Sequence, residues 1–233
     1  MTTAVVVGLY GTSVLFLDGQ DDGPGRGSIP LVPPAAAAEL PPVEVLPVFA
    51  VSDGVRLRMP SPDAVAVAFH EASYDDATGL RPVGVCALCR NRWKFRPPPP
   101  QREDLAYIVT DTRGRSTPAT SAVDVVLPAG TVLLSPVTGT VTSVRHYRLY
   151  TRYPDVRIEV RPDAAPDRRM VMLHLAGVRV AVGERVEASV TPVGVPRGFR
   201  FESQVDRYVP GGHPHVHIEV KDPAANRRAK TKR

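Results

Sequence analysis

Residues 211–220 have the sequence Gly-Gly-His-Pro-His-Val-His-Ile-Glu-Val and contain three of the six histidines of the chain. From residue 216 to 220, polar side chains alternate with β-branched apolar ones, which predicts a β-strand. Residues two apart on a strand project from the same face, so His215, His217 and Glu219 should share one face, with the intervening apolar residues in a core. Two imidazoles held in this way can share a metal, or one can bind a metal while the other acts as an acid–base group. A surface strand with incidental histidines is the alternative.

Three upstream segments also have the character of short strands. Residues 170–175 (MVMLHL) are apolar apart from His174, and a single histidine in such a segment is more often a hydrogen-bonded core residue than a catalyst. Residues 121–127 (SAVDVVL) place Asp124 in an apolar setting, where an acid is costly to bury unless it is paired or bound to a metal. Residues 130–144 predict two strands joined near Pro136. With the proline-separated, valine-rich runs elsewhere, these segments predict an all-β protein whose C-terminal domain is an antiparallel barrel-like or sandwich structure.

In this order the segments resemble the LytM/lysostaphin-type zinc endopeptidases, which cut peptidoglycan cross-links. An Asp-bearing strand is followed by Gly-Thr-Val and Pro-Val-x-Gly-Thr-Val, then by His-Leu and Val-x-x-Gly-Glu-x-Val, and finally by His-x-His-Ile-Glu. The resemblance covers about residues 114–222. It implies that Asp124 and His217 bind zinc, and that His174 and His215 form the catalytic pair.

One expected zinc ligand is missing from its place in the motif. The family pattern His-x-Gly-x-Asp puts a histidine four residues before the aspartate, and Thr120 stands there in this chain. A catalytic zinc needs three protein ligands, and a threonine hydroxyl is a poor one. His70, in Phe-His-Glu, and His213 are the candidates for the third ligand, although Pro214 argues against extending the strand to His213. The sequence therefore predicts zinc as the cofactor of a site that is incomplete by motif.

Composition divides the chain into five segments. Residues 1–20 are apolar and resemble an export signal or membrane anchor, with a buried strand as the alternative. Residues 21–47 form a Pro/Ala-rich linker, residues 48–113 a small β-rich unit, residues 114–222 the LytM-like domain, and residues 223–233 a basic disordered tail. This organisation predicts an exported protein at the cell envelope, or one anchored on the extracellular side of the membrane.

The positive charge of the chain lies at its C-terminal end. The formal net charge is +5, and the segment from Lys221 to Arg233 holds six basic residues and one acid, so the rest of the chain is close to neutral. A neutral body disfavours a nucleic-acid-binding protein. The tail is instead a candidate for binding an anionic wall polymer or a membrane surface.

The region before the Asp-bearing strand contains two further features. Cys86 and Cys89 are the only cysteines, so they form half a zinc site at most; in an exported protein they can pair as a disulfide, or they are unremarkable thiols. The basic and aromatic run at residues 90–96 either stacks on a ligand or forms an exposed strand or loop with Trp93 packed inward.

Two functions follow from the resemblance and from the presence of Thr120 where the family has a ligand histidine. The first is a metalloendopeptidase acting on peptidoglycan stem or bridge peptides, with impaired zinc binding. The second is a catalytically inactive LytM-like module that binds peptidoglycan or activates a partner hydrolase.

Overall fold

The computed structural model describes residues 45–225. The anchor-like segment predicted at residues 1–20, most of the linker at 21–47 and the last eight residues of the predicted tail lie outside the described residues. Within residues 45–225, no helix is long and apolar enough to cross a membrane.

The described residues are almost entirely strands, turns and loops, which confirms the predicted all-β class. One short 3-10 helix spans Val205–Arg207. The strands, in chain order, are β1 (Val48–Ser52), β2 (Val55–Arg58), β3 (Ala66–His70), β4 (Arg81–Pro82), β5 (Val85–Cys89), β6 (Ala106–Val109), β7 (Ala122–Val126), β8 (Leu133–Leu134), β9 (Gly139–Leu149), β10 (Tyr153–Pro162), β11 (Arg169–Leu173), β12 (Leu175–Ala176), β13 (Arg185–Val186), β14 (Pro192–Pro196) and β15 (His215–Lys221).

A nine-stranded sheet forms the body of the molecule, in the order β13-β9-β10-β11-β15-β7-β3-β6-β5. Its strands pair antiparallel from β13 to β3, and β6 then runs parallel to both β3 and β5. Two three-stranded sheets, β2-β1-β4 and β12-β14-β8, complete the fold and make it sandwich-like. Strands from residues 48–113 and from residues 114–222 therefore share the large sheet.

The alternation predicted for β15 is confirmed. Val216, Ile218 and Val220 are fully buried in the main hydrophobic core. Val123 and Val125 of β7 enter the same core from the neighbouring strand, because the antiparallel register places residue 216 opposite 125 and residue 218 opposite 123. The remaining residues of both strands project from the other face of the sheet. The candidate site lies on that second face.

Two expectations for residues 85–96 have opposite outcomes. Cys86 and Cys89 are joined by a disulfide. The prediction that Trp93 packs inward is wrong: the residue is 96% exposed, in a turn that follows β5. Phe95 takes the inward position instead and contacts the edge of the Tyr107 ring.

Candidate active site

Three side chains from three adjacent strands converge at one point on the second face of the sheet. Nδ1 of His217 lies 2.8 Å from Oδ1 of Asp124, and Nε2 of His70 lies 3.1 Å from the same oxygen. The register explains the meeting, because residue 217 of β15 is paired with residue 124 of β7, and β3 flanks β7 on its other side. Within residues 45–225, these three residues are the one group of His, Cys, Asp or Glu side chains whose ligand atoms are close enough to hold a metal.

The protonation of His70 shows why a cation fits this point. Its Nδ1 lies 3.0 Å from the backbone carbonyl of Glu71, which can only accept, so Nδ1 carries the proton and donates. Burial lowers the pKa of His70, which favours the neutral ring with a lone pair on Nε2. Nε2 therefore directs a lone pair at a carboxylate oxygen and has no hydrogen-bond partner. A metal ion between the two acceptors would remove this conflict.

The ligand set and its spacing suit zinc. Imidazole nitrogens and a carboxylate oxygen are ordinary zinc ligands, and three of them leave a fourth position open. Two ligand atoms bound to one tetrahedral zinc are separated by about 3.3 Å, given bond lengths near 2.0–2.1 Å. The two nitrogen–oxygen distances in the cluster, 2.8 and 3.1 Å, are somewhat shorter than that value, so the ligand atoms would move apart by a few tenths of an ångström around an ion.

A second carboxylate supports His217 from its other side. Nε2 of His217 donates to Oε1 of Glu219 at 3.0 Å, which leaves Nδ1 as the nitrogen that faces Asp124. Burial alone would lower the pKa of His217, but the hydrogen bonds to Asp124 and Glu219 outweigh it and raise the pKa to about 9. Lys221 in turn lies 3.3 Å from Glu219. Carboxylate–histidine support of this kind orients a metal-binding ring and increases its basicity.

The charge of Asp124 is favoured by the same neighbours. Burial would raise the pKa of its carboxyl group, but its histidine neighbours, among them His217 with a hydrogen bond to Oδ1, hold that pKa well below the usual range. Its second oxygen, Oδ2, faces Nε2 of His215 and Nη2 of Arg113, each at 3.9 Å. The aspartate is therefore ionised and available as a ligand.

His174 lies directly after β11 and is held by an acid that the sequence did not single out. Its Nδ1 donates to Oδ2 of Asp155 at 2.7 Å, which leaves Nε2 as the nitrogen available to the cavity. Asp155 also accepts hydrogen bonds from the Tyr147 hydroxyl and from the backbone N–H of Val156. His174 has a φ of +67°, a left-handed conformation that costs a residue other than glycine on the order of 1 kcal/mol. Strain of this kind is common at functional sites.

His215 stands between the metal-type cluster and His174. Its ring centroid lies 5.4 Å from that of His174, and Phe199 stacks on its face at 4.7 Å. Burial lowers the pKa of His215 to about 4, so the ring is neutral at pH 7. Its Nδ1 is buried and has no hydrogen-bond partner. The predicted catalytic pair is therefore assembled beside the predicted ligands.

Asp124, His174, His215 and His217 line a cavity of about 810 Å³. The wall of this cavity includes Arg113 and Arg115, in the loop after β6. Hydrogen bonds to Glu71 fix the position of this loop. The Glu71 carboxylate accepts from the backbone N–H groups of Arg113 and Arg115 and from Lys94 at 2.7 Å. These bonds outweigh the effect of burial and lower the pKa of Glu71 to about 2. The residue next to His70 in sequence thus fixes the loop that faces His70 in space.

Thr120, which stands in place of the motif histidine, and His213, the other candidate for the third ligand, lie outside the cluster. Thr120 is buried, and its carbonyl accepts a hydrogen bond from the N–H of Leu80. His213 precedes β15, and Pro214, next to it, bonds through its carbonyl to Leu127. Sequence reasoning did not find Asp155, Tyr147 or Arg113. β10 contains two acids, Asp155 and Glu159, and no local pattern distinguishes the one that binds His174.

A scan of protein-family models finds no match to this chain, and no curated protein matches it. Solved structures do match. They include a mutant catalytic domain of the prophage-encoded M23 protein EnpA from Enterococcus faecalis, at 18% identity over 50% of this chain and 78% of that chain, with a TM-score of 0.36. They also include lysostaphin, at 17% identity over 46% of this chain and 42% of that chain, with a TM-score of 0.32. A zinc-containing peptidase from Vibrio cholerae matches at 23% identity over 47% of this chain and 28% of that chain, with a TM-score of 0.33. The first of these neighbours is thus an M23 protein, the second is lysostaphin and the third is a zinc-containing peptidase. This chain spans less than half the length of the second and third.

Proposed function

We propose that this protein is a zinc-dependent endopeptidase that cuts peptide cross-links of peptidoglycan at the cell envelope. The proposed ligands are His70, Asp124 and His217, and the proposed catalytic pair is His174 and His215. The observation that carries the proposal is the meeting of the three ligand-type side chains, with a buried Nε2 of His70 that lacks a donor. The peptidoglycan substrate comes from the motif resemblance.

His70 accounts for the histidine missing from the Asp motif. It is paired in register with Ala122, two residues before Asp124. If residues 71–121 were absent, a tight turn could join β3 to β7, and the spacing from His70 to Asp124 would be close to that of His-x-Gly-x-Asp. We therefore interpret residues 71–121 as an insertion that separates the ligand from its motif in sequence but not in space.

The two catalytic histidines have different roles because their surroundings differ. A zinc ion, when bound, would supply Lewis-acid activation at the open position of the site. Asp155 accepts the Nδ1 proton of His174 and fixes the tautomer of that ring, so Nε2 of His174 is the better place to accept a proton. His215 is neutral at pH 7, and its N–H can stabilise an oxyanion as it forms.

The test is to measure zinc and cell-wall hydrolysis together. The full-length protein is reconstituted with zinc, analysed for bound metal and assayed on purified cell wall. We expect one zinc per chain and hydrolysis, with both lost in His217→Ala and hydrolysis alone lost in His174→Ala. His213→Ala is the matched control and should retain both. Absence of zinc after reconstitution, with intact wall binding, would instead identify a non-catalytic module that binds wall or assists a partner hydrolase.

A further inference from the structure

The cavity carries more positive charge than the proposed chemistry uses. Arginines from three parts of the chain line it: Arg113, Arg115, Arg145, Arg157 and Arg207. The acids in its wall are Asp124, Glu202 and Glu219. Asp124 and Glu219 each form a hydrogen bond with His217. Glu202 forms a long ion pair, in which Oε1 lies 3.8 Å from Nε of Arg207. The remaining surface therefore attracts anions.

Two of these arginines face each other across the floor of the cavity. Arg145 on β9 and Arg157 on β10 are directly paired in the antiparallel register. Like charges in this position repel each other, so the pair destabilises the sheet unless an anion lies between them. Arg157 is partly neutralised, because its Nε lies 2.9 Å from Oε1 of Glu159. Arg145 is exposed, and its guanidinium forms no ion pair or hydrogen bond with any residue from 45 to 225.

The register also gives the distance of this pair from the catalytic groups. Ile158 of β10 is paired with Met172, and Leu173, the next residue of β11, is paired with His217. Arg157 therefore lies two strands away from His217, which is on the order of 10 Å at the usual strand spacing. Leu173 lies between them on the cavity wall. An extended peptide covers this distance in about three residues.

We propose that Arg145 and Arg157 bind a free carboxylate of the substrate, so that the preferred substrate is an acidic peptide. The planar, forked guanidinium group matches a carboxylate in a bidentate geometry. The position of the carboxylate, about three residues from the bond that is cut, rests on the proposed function; the binding of the carboxylate does not. A phosphate group could also bind between two guanidinium groups. We favour a peptide carboxylate, because Arg157, Leu173 and His217 lie in line along one wall of the cavity, where an extended peptide can follow them.

The experiment compares peptides that differ only in charge. Labelled Gly/Ala hexapeptides carry one Glu at each position in turn, with matched Gln peptides, and binding to the full-length protein is measured by fluorescence anisotropy. We expect one Glu position to bind about tenfold more tightly than its Gln counterpart, with the difference falling as salt rises. The double variant R145Q/R157Q should lose the difference, and the single variant R145Q should reduce it. R148Q, on the opposite face of β9 and outside the cavity, should retain it.

Each outcome decides between the possibilities. Equal binding of Glu and Gln peptides at every position overturns the proposal, as does an equal loss in R148Q. Binding of a glycerol phosphate polymer without any Glu preference assigns the pair to phosphate and also overturns it. The measurement is repeated with a chelator, because carboxylate binding needs no metal. If the preference for Glu persists but cell wall is never cleaved, the proposed function fails and the carboxylate-binding inference stands. If cell wall is cleaved but Glu and Gln peptides bind equally, the proposed function stands and the inference fails.

Discussion

Replacement of His70 by alanine tests the centre of the proposed site. His70 is almost completely buried and offers Nε2 to the point where Asp124 and His217 meet. Structural zinc sites with four protein ligands have apparent binding free energies of about 10–16 kcal/mol, or about 2.5–4 kcal/mol per ligand. Loss of one ligand should therefore weaken zinc binding by about 70- to 900-fold, at 1.36 kcal/mol per factor of ten.

The assay is a competition titration against a chromophoric zinc chelator, with the wild type and three variants. His70→Ala should show the calculated loss, while Thr120→Ala and His213→Ala should bind zinc as the wild type does. Because His70→Ala also removes a buried side chain, thermal unfolding is measured with a chelator present, to separate a loss of fold from a loss of affinity. His70→Gln provides a second variant of similar length. Wild-type zinc affinity in a folded His70→Ala protein, or an equal loss in Thr120→Ala, would refute the assignment.

Three further predictions follow from contacts at and around the site. Asp155→Asn should lower kcat by about 100-fold or more while zinc affinity is unchanged, because the amide no longer fixes the tautomer and orientation of His174; a loss of zinc in this variant would contradict that role. Glu71 has a pKa lowered to about 2 from 4.5, so the stability it contributes is present above about pH 4.5 and is lost as the pH falls towards 2. Glu71→Gln should thus cost about 2–3 kcal/mol at pH 7 and flatten the acid limb of unfolding curves, and unchanged curves would exclude the effect. Ile218→Ala should cost about 2–5 kcal/mol in denaturant unfolding, whereas Trp93→Ala, fully exposed, should change stability by less than about 0.5 kcal/mol.

The local sequence pattern was sufficient to predict β15, the strand that carries His215, His217 and Glu219. The alternation around Val216 and Ile218 predicts both the strand and the face on which His215, His217 and Glu219 project, since side-chain direction on a strand has a fixed period of two. Asp124 was also identifiable locally, because an acid within an apolar run needs a partner. These inferences depend only on neighbours in sequence.

Other parts of the site depend on partners far away in the chain. His174 was recognised through the motif, but its bond to Asp155 is set by tertiary packing rather than by any local pattern. Trp93 was expected inside because large aromatic side chains are usually buried; the inward position went to Phe95 instead. The cross-strand pair of Arg145 and Arg157 is visible only when the register of β9 on β10 is known.

The all-β class, the two faces of β15 and four of the residues proposed for the site could be predicted from the sequence: Asp124, His174, His215 and His217. The sequence left the third ligand open between His70 and His213. The tertiary structure favours His70 as the proposed third ligand, because β3 lies against β7 with the histidine beside Asp124. Periodicity along a strand fixes which way a side chain points, whereas the choice and register of neighbouring strands depend on how the whole core packs.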